Sequence, residues 1–252
     1  MNYRSKSKRN IPFINGIDEW GSTNELMKQY CEYNSVASGS IFYTNNQTQG
    51  RGYSGNSWES EKGKNLTFSV FFIPKHVPCH MPFLISEISS LSVKHTLDKY
   101  IPDVTVKWPN DVYYRDGKIS GILIENVITG GKIEHSIIGI GLNINQIQFV
   151  SDAPNPISLS QITGETYELM DILDEFDEIF TAQSRRLNNR CFEDIHNDYL
   201  NVIHHRDGYH KYCDANGVFE AKIHNIEPTG HLILERTDAS LSRYAFKEVS
   251  FL

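Results

Sequence analysis

Four short runs hold the side chains of this sequence that could do chemistry. The first is Gln47-Thr48-Gln49-Gly50-Arg51-Gly52-Tyr53-Ser54-Gly55-Asn56-Ser57-Trp58. Glycines let backbone approach a ligand closely and turn N–H groups toward anions. Arg51 between two of them offers a planar fork of donors to carboxylate or phosphate, and Trp58 can close over a ring or tuck beneath the loop. A surface loop with a solvated arginine reads the same way locally. The Gly-Lys-Ser/Thr ending of a Walker A loop is absent, and so is the βαβ context of a dinucleotide fingerprint. The second run, Lys107-Trp108-Pro109-Asn110-Asp111, sets a lysine, a stiff Trp-Pro corner and an Asn-Asp pair at one place; alone it also reads as a simple turn. The third, Lys118-Ile119-Ser120-Gly121-Ile122-Leu123-Ile124-Glu125, puts an ammonium at the mouth of an apolar strand. There it could neutralise two anions that must meet, or merely snorkel to solvent. The fourth, Ile138-Gly139-Ile140-Gly141-Leu142-Asn143-Ile144, carries two glycines on one face of a strand. That spacing clears room for a flat molecule, or for a close-packed neighbour.

The elements that must position these runs follow from pattern. Ser22 with Glu25 three residues on fits a capping box, which predicts a helix through Leu26, Met27 and Tyr30. Gly39 to Tyr43 reads as a short strand, the polar stretch Thr44 to Lys64 as a long loop, and Leu66 to Ile73 as a buried strand. Phe83 to Tyr100 has helical apolar spacing. Short strands are expected at Val104 to Lys107 and Val112 to Tyr114. Asp116-Gly117 then turns the chain into Lys118 to Glu125, and Gly130-Gly131 into Ile133 to Ile144. Tight turns between strands predict an α+β fold with a mixed, largely antiparallel sheet and helices packed on it. Thr166 to Leu187 and Phe192 to Val202 read as amphipathic helices. From Gly208 the pattern changes to short β segments, Tyr209 to Cys213, Val218 to Ile226, Leu232 to Glu235 and Tyr244 to Val249. This divides the chain into a domain over 1–207 and a small C-terminal β module of SH3 type over 208–252.

The chain has 252 residues, 39% hydrophobic and 22% charged, with a formal net charge of -7. That size suits one α/β-type domain with a small appendage, and the acidic balance argues against a general nucleic-acid binder. No apolar run is long enough to cross a membrane. The basic, polar start from Met1 to Asn10 lacks the apolar core of a signal peptide, so a cytoplasmic location is expected. Cys31, Cys79, Cys191 and Cys213 form no CxxC pair and are expected to be reduced and structural. His76, Cys79 and His80 cluster in a proline-rich loop with no second ligand pair, so no metal site is expected among the protein's own side chains.

In this order and combination, the Gly50-Arg51-Gly52 loop, the Lys107 to Asp111 run, the Lys118-x-x-Gly121-Ile-Leu-x-Glu125 strand and the Gly139-x-Gly141-x-Asn143 strand resemble the biotin protein ligase family. The resemblance runs from about Trp20 to the C-terminus. It implies a class II synthetase-like ligase domain with a C-terminal SH3-like β-barrel. It implies that biotin is bound by Ser22, Thr23, Asn24, Gln47, Gly50, Arg51, Gly52, Tyr53, Lys118, Gly121, Gly139 and Gly141. It implies ATP contacts from Trp58, Lys107, Asn110, Lys118 and Asn143, with Lys118, Arg51 and Asp111 catalytic. Asp111 would orient or deprotonate the incoming lysine. The reaction implied is ATP-dependent formation of biotinyl-5′-AMP and transfer to a lysine of a biotin carboxyl carrier protein, with Mg²⁺ on the phosphates. Many bacterial members carry basic residues where this chain has Tyr53 and Asn56, which would weaken adenylate retention. Many also carry an N-terminal DNA-binding domain, and about twenty residues before the first motif cannot form one, so no DNA partner is expected. Dimerisation is seen in some members. A lipoate-type ligase is the rival enzyme, but its Arg-Arg-x-x-Gly-Gly-Gly signature is absent. A non-catalytic biotin-binding regulator is the rival from another class, and the retained Lys118 argues against it.

Overall fold

The computed structural model describes residues 11–52, 55–151 and 154–252. Seven strands form one sheet and five a second. Leu66–Phe72 is buried at every position and lies inside the larger sheet, as an unbroken run of Phe, Val and Leu requires. In chain order the larger sheet comprises β1 (Ile14–Trp20), β2 (Ser40–Gln47), β3 (Leu66–Phe72), β4 (Val104–Lys107), β5 (Asp111–Tyr114), β6 (Gly117–Thr129) and β7 (Lys132–Leu142). Their spatial order is β1-β2-β3-β7-β6-β5-β4. Only β1 and β2 run parallel; every other neighbour is antiparallel. The expected largely antiparallel sheet is what forms.

Helix α1 (Thr23–Tyr33) covers one face of the sheet. On the other lie α2 (Phe83–Leu97), α4 (Leu169–Asn188) and α5 (Phe192–Asn201), with the short α3 (Leu159–Thr163) between the sheet and α4 in sequence. Helix α2 is buried on nearly all sides. Its hydroxyls at Ser89, Ser90, Ser92 and Thr96 survive burial by donating to the carbonyl four residues back. The second sheet, β11-β10-β9-β8-β12, is antiparallel throughout. It is built from β8 (His210–Asp214), β9 (Gly217–Ile226), β10 (Leu232–Arg236), β11 (Leu241–Tyr244) and β12 (Ser250–Phe251). One hydrophobic cluster runs from Phe68 and Ile85 through Trp108 and Tyr199 to Ile223 and Leu234, so the two sheets share a core.

Three expectations need correction. The Ser22–Glu25 capping box is not made: Ser22 is the N-cap, but its side chain makes no cap hydrogen bond. A capping box does form at Ser158 and Gln161, on α3. Helix α4 starts at Leu169 rather than Thr166, because Asn145 grips Tyr167 through both its backbone N–H and its carbonyl. The strand expected over Tyr244 to Val249 is instead β11, ending at Tyr244, and a turn. There the Ala245 N–H donates to the Glu248 carboxylate and Lys247 takes a φ of 71°. Strand β1 gave no clear pattern, since an edge strand with Asn15, Gly16, Asp18 and Glu19 exposed shows little alternation.

Candidate functional site

Strands β6 and β7 pair so that Gly121 faces Gly141 and Leu123 faces Gly139. The three glycines open a trough in the sheet. Trp58 fills part of it: a Cβ on Gly141 would fall on its indole, and one on Gly121 would come within 2.9 Å of the ring. A Cβ on Gly139 would collide with the Asn24 amide. The sequence left open whether the alternation made room for a flat molecule or for a neighbour; here the neighbours are Asn24 and Trp58. Above and beside the trough lies a cavity of about 700 Å³.

One end of the cavity is a buried polar network at the start of α1. Ser22, Thr23, Asn24 and Ser69 are all under a tenth exposed. The Thr23 N–H donates to Gln47 Oε1 at 3.0 Å. Ser69 Oγ donates to Asn24 Oδ1 at 2.6 Å and lies 2.8 Å from Thr23 Oγ1. Asn24 Nδ2 donates to Glu125 Oε2 at 2.8 Å, and Lys28 pairs with the other oxygen of Glu125 at 2.6 Å. Burial pushes the Glu125 carboxyl up, but hydrogen bonds from Lys28 and Asn24 outweigh it and hold the group below its ordinary value. Glu125 therefore stays ionised and orients the Asn24 amide, with the Oδ1 end toward Ser69.

Along the cavity, Lys118 Nζ lies 2.7 Å from Asp111 Oδ2 and 5.8 Å from the Trp58 ring centroid. The backbone of Lys118 is pinned twice: its N–H donates to Asn155 and its carbonyl accepts from Ile157. Asn110, Tyr113, Pro154, Pro156 and Phe246 line the cavity as well. Burial, then the charge of Asp111, pushes the Tyr113 hydroxyl up to about 12, so it remains a neutral donor. Asn143 Nδ2 donates to the Ile157 carbonyl, while its Oδ1 is buried without a partner, as is Trp58 Nε1. Two unsatisfied polar atoms lining one cavity mark places for ligand groups.

The structure thus gathers Ser22, Thr23, Asn24, Gln47, Arg51, Gly52, Trp58, Asn110, Asp111, Lys118, Gly121, Gly139, Gly141 and Asn143 around one cavity. Arg51 lines it, but its guanidinium faces Glu25 at 3.4 Å. Two residues stand apart from the lining. Gly50 is a packing glycine: its carbonyl accepts from the Trp58 N–H, and a Cβ there would run into the Trp58 carbonyl. Lys107 is half-buried with its ammonium 4.9 Å from the Tyr113 ring and 5.4 Å from that of Phe251, and burial pulls its pKa down. Tyr53 lies outside the described residues. Sequence reasoning missed Ser69, Tyr113 and Phe246. Tyr113 sat in a predicted strand next to the Asp111 motif; Phe246 comes from the turn between β11 and β12 and has no local signal.

Among the described residues, no three His, Cys, Asp or Glu side chains gather as a metal site, and no helix is long and apolar enough to cross a membrane. The model of the biotin/lipoate A/B protein ligase family matches residues 18–143. The bifunctional ligase/repressor BirA of Bacillus subtilis is 25% identical over 218 residues, 84% of this chain and 66% of that protein. The chloroplastic biotin–protein ligase 1 of Arabidopsis thaliana is 33% identical over 132 residues, 50% of this chain and 35% of that one. The chain thus spans less than two thirds of the length of these curated relatives. Among solved structures, the biotin protein ligase of Aquifex aeolicus in complex with biotin and ATP superposes with a TM-score of 0.78 at 23% identity, covering 96% of this chain and 99% of that one. The Helicobacter pylori biotin acetyl coenzyme A carboxylase synthetase with bound biotinylated ATP gives 0.60 at 20% identity, covering 93% and 100%. These two likenesses carry the fold.

Proposed function

The chain belongs to the biotin/lipoate A/B protein ligase family, and from that premise we propose that it is a biotin protein ligase. It activates biotin with ATP and transfers it to a lysine of a biotin carboxyl carrier domain. The observation that carries this reading is Lys118. Its ammonium, held by Asp111 at 2.7 Å and backbone-pinned on both sides, stands in a cavity with a buried polar network at one end and the unpartnered Asn143 Oδ1 among its lining.

The chemistry asks for such a site. In the first step a biotin carboxylate oxygen attacks the α-phosphorus of ATP, the bond to the bridging oxygen breaks, and pyrophosphate leaves. Two anions must approach, and a fixed ammonium in a partly dry cavity offsets their repulsion better than water does. In the second step the neutral ε-amine of the carrier lysine attacks the biotinyl carbonyl, and AMP leaves with the electrons of the acyl–oxygen bond. The Asp111 carboxylate orients that amine and takes its proton. Ser22, Thr23, Asn24 and Gln47 hold the biotin ring end, with Gly121, Gly139 and Gly141 leaving room along the sheet for Asn24 and Trp58 to seat beneath the ligand. Arg51 swings from Glu25 to the adenylate. Gly50 and Gly52 shape the loop that carries Arg51, and Tyr53 belongs to the same segment. Trp58 and the Asn143 amide oxygen serve the adenine, the latter as acceptor for an exocyclic amine. Lys107, off the cavity wall, acts at long range on the phosphates.

Mg²⁺ fits as a companion of the phosphates rather than a resident ion. Such an ion would keep substrate and water ligands, and Asp111, the carboxylate among the described lining residues, with its neighbour Asn110 would hold it. It supplies charge neutralisation on the leaving pyrophosphate.

Lipoate ligation falls under the same family description. The buried Thr23–Asn24–Ser69 network favours biotin, because a ureido ring offers donors and an acceptor to polar groups that are already held in place, while a dithiolane offers them no hydrogen bond. Pyrophosphate release measured with ATP and either acid tests the choice. Release on addition of biotin and not lipoate is the expected outcome, and release with lipoate alone overturns it.

A further inference from the structure

The two sheets meet beside the Trp108–Asp111 corner, where polar ties between described residues cross the seam. Trp108 Nε1 donates to the Gly230 carbonyl at 2.9 Å. The Phe83 N–H donates to the Pro228 carbonyl at 3.2 Å. The third tie is a chain of side chains from three elements. Glu87 Oε1 on α2 lies 2.6 Å from His196 Nδ1 on α5, and His196 Nε2 lies 2.9 Å from Asn225 Oδ1 on β9.

This third tie is chemically odd. Glu87 is 1% exposed, and its Oε2 has no partner. Both nitrogens of His196 face oxygens, an arrangement that calls for a proton on each. The groups around the ring agree: the Glu87 hydrogen bond raises its pKa against burial, and Asn225 adds to the rise. Glu87 itself is pushed up by burial and pulled back by His196. Tyr199, also on α5, is the other titratable group close to Glu87. A buried ion pair adds little stability over apolar side chains of equal volume. What it adds is direction, and the direction here leads to the site. Tyr199, three residues beyond His196, donates its hydroxyl to the Pro109 carbonyl at 2.8 Å. Helix α5 therefore holds the backbone of the motif corner with one side chain and the second sheet with another. The second sheet carries Phe246, which meets Trp108 edge-on at 5.8 Å and lines the cavity with Asn110 and Asp111.

We propose that Glu87, His196 and Asn225 form a positioning latch for the nucleotide end of the site. The latch sets the second sheet, and with it Phe246 and the Trp108 corner, against Asn110 and Asp111. It rests on the reading of that end of the cavity as the nucleotide end.

Asn225 is the exposed member, so its replacement severs the latch without opening the core. The test is isothermal titration of the full chain with Mg-ATP and, separately, with biotin, for wild type, Asn225→Ala and Asn225→Asp. Asn225→Ala should weaken ATP about three- to tenfold, less than a whole charge-assisted hydrogen bond because the other two ties remain. Biotin affinity should be unchanged. Asn225→Asp should restore ATP affinity, since a carboxylate still accepts from the imidazolium. Glu87→Gln is a second variant and should behave like Asn225→Ala. Unchanged ATP affinity in Asn225→Ala, equal weakening of both ligands, or failure of Asn225→Asp to restore it would each overturn the latch while leaving the ligase reading intact. A wild-type chain that binds neither ligand would overturn both.

Discussion

The ammonium of Lys118 and the carboxylate of Asp111 lie 2.7 Å apart across the β5–β6 hairpin, with each side chain about a quarter exposed. The pair is set by the register of the hairpin, which shifts between Val112 and Tyr113 and so turns Lys118 opposite Tyr113. The backbone of residues 155–157 grips Lys118 from the other side. The cation is fixed before any substrate arrives, so little reorganisation is left for the reaction.

Lys118→Ala should lower biotin-dependent pyrophosphate release by about 10²–10³-fold, the scale for one lost transition-state donor. A continuous pyrophosphate assay checks this, and a near-normal rate would remove Lys118 from the mechanism. Asp111→Asn should slow the transfer step more than adenylate formation, visible as adenylate accumulating in single-turnover mixtures.

Gly139→Ala places a methyl on the Asn24 amide. Overpacking of a tight site costs about 1–3 kcal/mol, so biotin affinity by titration should fall about tenfold. An unchanged value would mean that Asn24 does not hold biotin.

Trp58 Nε1 is buried and unpartnered, and the indole rests in the glycine trough. Adding biotin with ATP should therefore shift tryptophan emission, and Trp58→Phe should abolish the shift while Trp20 and Trp108 remain. A shift retained in the variant would place the response elsewhere.

His205 stacks between His204 and His210, with ring centroids 4.3 and 4.0 Å away. Burial, then the neighbouring His204, His210 and Lys107, lower its pKa from 6.5 to about 4. The unfolded chain therefore takes up the proton first as pH falls. The stability tied to neutral His205 is complete above 6.5 and is lost as pH drops toward about 4. Urea midpoints at about pH 7.5 and about pH 5 should show the loss. His205→Asn, which tolerates the φ of 61° at this position, should narrow the gap between them. An equal gap in both proteins would contradict the assignment.

Most of the fold was legible because its strands are long apolar runs and its turns carry Asp116-Gly117 and Gly130-Gly131, where local pattern and tertiary need coincide. The motif residues were legible because their types are unusual together. What stayed hidden depended on packing. Ser22 is the helix N-cap, yet its side chain makes no cap bond, and the first helical N–H, that of Thr23, goes to the Gln47 side chain. Arg51 looked free to meet an anion, yet Glu25, read as the box partner of Ser22, is what it faces. Ser69 is one hydroxyl in a buried strand, and only the approach of α1 makes it a partner of Asn24. Phe246 reaches the cavity because two sheets dock, which no local pattern encodes.

The most direct test of the central claim is intact-mass analysis of a biotin carboxyl carrier domain incubated with the protein, Mg-ATP and biotin. A gain of one biotinyl group, lost when the acceptor lysine is changed to arginine and absent with Lys118→Ala, is the predicted result. An unmodified carrier with the wild-type protein, or a lipoyl gain when lipoate is supplied in a parallel incubation and no biotinyl gain with biotin, would contradict it.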